Sequence, residues 1–135
     1  MAYEKFRPQI SPRDAPFWEG VRAHQLRLQR CDDCGRFRFI PGEMCPGCYS
    51  AAATWTEVSG RGRVYTYTVV HRAPTPAYQA DAPYVIAHVE LDEGPRIIST
   101  LVDCAVEEVS VGMPVEVGYE EADADLTLYH FRPRR

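Results

Sequence analysis

The chain has 135 residues, about one ordinary domain, and at 45% hydrophobic and 25% charged it has the composition of a folded protein with a core rather than a disordered tail. Its net charge of −4 is uneven: eight Lys and Arg stand against six Asp and Glu up to Ser50, and seven against thirteen beyond it. An acidic second part argues against nucleic acid as a ligand, no run reaches the roughly 18 apolar residues of a membrane span, and the N-terminus lacks a signal peptide's apolar stretch; a cytoplasmic protein without membrane or nucleic-acid contacts is expected.

Residues 1–13, with Pro8 and Pro12, read as an extended arm. Asp14 as N-cap, Pro16 in the first turn and Phe17, Trp18 and Val21 at helical spacing predict a short helix over 15–25. Its aromatic pair exceeds what a small module can bury, so Phe17, Trp18 and Val21, with Phe6 of the arm, are candidates for docking a partner or a second copy of the chain.

"QLRLQR" alternates as a strand should and runs into Cys31-x-x-Cys34-Gly35; "RFRFI" leaves that turn, and Cys45-x-x-Cys48 follows after ten residues. Two residues between cysteines let both thiolates face one ion, and Gly35 supplies the positive φ such a knuckle needs. Four sulfurs close a tetrahedron, which predicts a structural zinc; iron bound in the rubredoxin manner, or disulfides, are the alternatives. Arg30, Arg36 and Arg38 surround this region, and Cys104 is expected as a small buried hydrophobe.

Beyond residue 53 the period is two, with strands expected at 54–58, 63–70, 84–91, 96–102, 115–121 and 126–132, hairpin turns at "DEGP" and "EADAD", and one helical turn in 103–109. Five or six strands with one long connection over 71–83 suggest a small closed Greek-key barrel. The organisation read from the sequence is thus an arm and helix over 1–28, a ribbon over 29–52 and a barrel over 53–135.

"PFWEG", "LRLQRCDDCGRFRFIPGEMCPGCYS", "WTEVSGRGRVYTYTVVHR" and "PYVIAHVELDEGPRI" together resemble the acyl-CoA-associated DUF35 family. The resemblance implies a mainly β chain: a short helix and rubredoxin-like zinc ribbon followed by a five-stranded OB-fold barrel. It also implies a non-catalytic subunit that partners thiolases, synthases, lipid-transfer-protein-type aldolases or hydratases acting on acyl-CoA; a hetero-oligomer or a homodimer is expected. Gly42-Glu43-Met44 departs from the family pattern by removing a basic residue beside the second knuckle.

No G-x-S-x-G, phosphate-binding glycine loop or H-E-x-x-H is present, and neither His71 nor His88 has a nucleophile beside it in sequence. A CoA thioester asks for arginines at its phosphates and an aromatic ring for its adenine. Arg61, Arg63, His71, Arg72, Tyr78 and Tyr84 are the candidate ligand residues. A single-stranded nucleic-acid module and a stand-alone CoA-thioester enzyme remain the competing functions.

Overall fold

A computed structural model describes residues 5–135; the first four residues of the expected arm lie outside it. Helix α1 spans Ala15–Arg22 and stops short of the expected residue 25. His24 takes a left-handed φ of 58°, the Gln25 N–H donates to the Gly20 carbonyl (2.8 Å), and the His24 N–H to that of Val21 (2.9 Å), which is a Schellman ending with histidine in glycine's usual place. A Cβ at Gly20 would meet the Gln25 carbonyl oxygen at 2.7 Å, so only glycine lets the chain fold back here. Asp14 stands at the N-cap position without capping, because the Ser11 hydroxyl takes its carboxylate at 2.9 Å.

Strands β1 (Arg27–Cys31), β2 (Phe37–Arg38) and β3 (Ala53–Glu57) form an antiparallel sheet in the order β2-β1-β3. The strand expected at 54–58, within the residues assigned to the barrel, is therefore the third of the ribbon sheet, with Leu28 opposite Thr56 and Cys31 opposite Ala53. Alternation told that it was a strand but not which sheet it joins; leaving the second knuckle, the chain returns along β1.

Strands β4 (Arg61–Val70), β5 (Tyr84–Leu91), β6 (Arg96–Leu101), β7 (Pro114–Glu121) and β8 (Thr127–Pro133) close a barrel in the order β4-β5-β6-β8-β7, the OB-fold. A parallel pairing of Leu101 with Phe131 makes the closure. The 71–83 connection carries a helical turn, α2 (Pro76–Gln79), and a 3-10 turn covers Val106–Glu108 where one helical turn was expected.

Alternate residues of β5, Val85, Ala87, Val89 and Leu91, point into a core shared with Val64, Ile97, Val115 and Phe131. That cluster also takes in Leu26, Leu28 and Val58 of the ribbon and Phe17 and Val21 of α1. Phe17 and Val21, only 3% and 0% exposed, are thus not left over for a partner as the sequence suggested. The small ribbon has no interior of its own, but the barrel lends it one. No helix among the described residues is long and apolar enough to cross a membrane.

Candidate metal centre and ligand cavity

The two knuckles are built alike. The Gly35 N–H donates to the Cys31 carbonyl and the Tyr49 N–H to that of Cys45, both at 2.9 Å; the Cys31 N–H reaches Arg36 O (2.9 Å) and the Cys45 N–H reaches Ser50 O (2.8 Å). Both knuckles end on a left-handed residue, Gly35 at φ 76° and Tyr49 at φ 65°. The sequence displayed the first of these as glycine and hid the second behind a tyrosine.

All four sulfurs lie within 4.8 Å of one another, with Cys31 and Cys48 Sγ 3.5 Å apart and Cys34 and Cys45 Sγ 3.6 Å apart. Zinc–sulfur bonds of about 2.3 Å in a tetrahedron place sulfurs ~3.8 Å apart, so four cysteines are positioned here for one metal ion. Backbone N–H groups already turn toward the sulfurs, from Cys34 to Cys31 (3.5 Å) and from Gly47 to Cys45 (3.4 Å). Backbone hydrogen bonds from Cys48 and Gly47 pull the Cys45 thiol down to about 6. Cys48 goes the other way: its backbone contact with Ser50 lowers it, but the neighbouring thiols and burial push it up to about 12. Sulfurs this close cannot all ionise without a cation among them.

Charged groups outside the sulfurs brace the centre. Arg30 Nε donates to the Gly35 carbonyl (3.1 Å), and the Arg36 guanidinium lies over Gly47, so a positively charged group stands beside the backbone of each knuckle. Arg38 does not join them; it is buried, with Nε on Gln29 Oε1 and Nη2 on the Gly42 carbonyl, both at 3.0 Å. Asp33 accepts from the Ser50 hydroxyl and Asp32 from Thr54 Oγ1 (2.7 Å), tying the first knuckle to the second and to β3. Sequence reasoning passed over these two aspartates, although the side chains between the cysteines of a knuckle are the ones free to face its partner.

The six candidate ligand residues do not converge. Tyr78 and Tyr84, ring centroids 6.4 Å apart, line a cavity of about 630 Å³. Arg61 and Arg63 stand at the opposite end of β4, roughly 25 Å away at about 3.3 Å per residue, and Arg63 Nη1 donates to the Gly112 carbonyl (2.9 Å). His71 and Arg72 are exposed on the connection after β4 and do not line the cavity. His88 meets the edge of Tyr65 (centroids 6.4 Å apart), and Cys104 is half-buried with its thiol pushed up by burial.

A second depression, about 280 Å³, lies where arm, helix, ribbon and barrel meet. Trp18, partly exposed and edge-on to Phe17 at 5.4 Å, lines it with Ile40 and Ile98, which are 73% and 52% exposed.

Residues 18–53 match the family described as the ChsH2 rubredoxin-like zinc ribbon domain, and residues 55–120 the ChsH2 C-terminal OB-fold domain. A DUF35 domain-containing scaffold protein of Methanocaldococcus jannaschii is 42% identical over 108 residues, 76% of each chain. The chain belongs to the DUF35 family. A probable enoyl-CoA hydratase alpha subunit of Thermomonospora curvata is 44% identical to this DUF35 chain over 128 residues. That alignment takes in 94% of the chain but only 39% of the hydratase subunit, so the chain spans well under half of that relative. Among solved structures, an Ltp2-ChsH2(DUF35) aldolase chain superposes with a TM-score of 0.85 at 42% identity, covering 94% of this DUF35 chain and 98% of that one.

Proposed function

We propose that this chain is a non-catalytic subunit that docks onto a thiolase-like or hydratase enzyme and assists it in binding or passing an acyl-CoA. The observation that carries the reading is its likeness, over nearly its whole length, to the DUF35 chain of an aldolase. The apolar surface at Trp18, Ile40 and Ile98 supports it, since it draws on every module of the chain and suits a heterologous partner better than a solvent boundary. Chemistry then belongs to the partner: the isolated chain is expected to turn over no CoA thioester, and turnover abolished by His71→Ala would overturn this. In this reading the metal is zinc, held by Cys31, Cys34, Cys45 and Cys48, and the thiolate site belongs in the reducing cytoplasm.

Two experiments test the reading. Tagged chain exposed to lysate should retain a thiolase-fold or hydratase enzyme, and Ile40→Asp should weaken that complex by ~2 kcal/mol, roughly thirtyfold, without lowering the melting temperature. Retention of nucleic acid instead, or an Ile40→Asp complex of undiminished affinity, would sink it. Elemental analysis should find one zinc per chain, unchanged in Cys104→Ser and lost in Cys34→Ser with unfolding of the ribbon, because structural zinc supplies on the order of 10 kcal/mol of folding free energy.

A further inference from the structure

An OB barrel binds its ligands on the outer side of its second and third strands, between the loop joining strands one and two and the loop joining strands four and five. In this chain those strands are β5 and β6, and those loops are residues 71–83 and 122–126. The 630 Å³ cavity lies on that face: Tyr84 and Ile86 come from β5, Thr100 from β6 and Leu128 from β8, with Tyr78 and Asp81 of the long loop as a wall. Its size falls within the roughly 300–1,000 Å³ of small-molecule sites.

The charges at this face select the ligand. Among the described residues, three ionisable side chains other than tyrosine line it, Lys5, Asp81 and Glu120, and Lys5 is ion-paired with Asp81, so the balance is acidic. A nucleotide or an oligonucleotide needs cations at its phosphates and meets a carboxylate instead. What the walls offer is two tyrosine rings and branched aliphatic side chains. The arm draws the two loops together at this face: Lys5 pairs with Asp81, Phe6 packs against Tyr78 (centroids 6.4 Å apart) and Arg7 pairs with Asp123.

We propose that this cavity binds an uncharged apolar group of small-molecule size, chemically the acyl part and not the nucleotide part of a CoA thioester. The preference for apolar over anionic ligands rests on the cavity itself; naming an acyl group as its occupant rests on the function proposed above. The test uses the full metal-loaded chain, the neutral fluorophore N-phenyl-1-naphthylamine as probe, and two competitors: octanoyl-N-acetylcysteamine, which is a thioester without a nucleotide, and free CoA. Saturable probe binding is expected, displaced by the octanoyl thioester and at least roughly tenfold less well by CoA. Thr100→Arg, at an exposed position on the cavity floor, should weaken the probe by about tenfold or more with metal content and melting temperature unchanged, and Leu128→Arg should do the same. Ile98→Arg, on the separate depression beside Trp18, should leave the probe unaffected. Absence of saturable binding, displacement by CoA as effective as by the thioester, or loss in Ile98→Arg but not in Thr100→Arg would overturn the site. A probe that stays in the cavity against the thioester would overturn the acyl assignment. Partner capture does not use this cavity, so its failure would leave these results standing and count against the accessory role alone.

Discussion

At the scale of single residues, the two knuckles set a comparison that the sequence does not advertise. Gly35 and Tyr49 occupy equivalent left-handed positions, and a side chain there costs roughly 1–2 kcal/mol for want of space between Cβ and the following carbonyl. Gly35→Ala is therefore expected to lower stability by about 1–2 kcal/mol. Tyr49→Gly should be neutral or gain up to ~1 kcal/mol, since the tyrosine is 74% exposed and glycine's extra freedom when unfolded offsets part of the relief. Chemical denaturation of the two metal-loaded variants measures both. A marked loss in Tyr49→Gly would mean that its ring makes a contact the folded chain alone does not explain. Four cysteines at the right spacing made the metal centre legible before any coordinates. The bracing by Asp32, Asp33 and Arg36 was not, because these contacts join residues that only the folded ribbon brings together.

At the scale of elements, the arm is held by side chains, and its attachment should be sensitive to acid. Arg7 and the Asp125 N–H hold the Asp123 carboxyl at about 2, below its ordinary 3.8. A carboxyl depressed in the folded state contributes stability that is complete above 3.8 and is lost as the pH falls toward about 2. Asp123→Asn should remove that contribution, so its melting temperature should fall less steeply than the parent's across this interval. Parallel profiles would show that the pair is open in solution. Strand positions were legible from period-two alternation, and β5 falls on the residues expected, 84–91. Sheet membership was not legible, as β3 demonstrates, because alternation reports that one face is buried and not what buries it. The burial of Phe17 and Val21 escaped for the same reason: helical spacing marked an apolar face, and the barrel that receives it is formed by residues far along the chain.

At the scale of the whole molecule, ribbon, helix and barrel share one apolar cluster, which includes Leu26, Leu28 and Val58 together with Phe17, Val64, Val89 and Phe131. Withdrawing the metal with a chelator should therefore lower the melting temperature of barrel and ribbon together, as one cooperative transition by both circular dichroism and tyrosine absorbance. Two separate transitions, with the barrel's unmoved, would show that the modules fold independently. The surface formed by Trp18, Ile40 and Ile98 has a further consequence. Trp18 comes from α1, Ile40 from the chain just after β2 and Ile98 from β6, so no single element presents the patch alone. If the partner docks there as proposed above, an enzyme reading this patch would inspect the finished product, since helix, ribbon and barrel must all be in place before the three side chains meet.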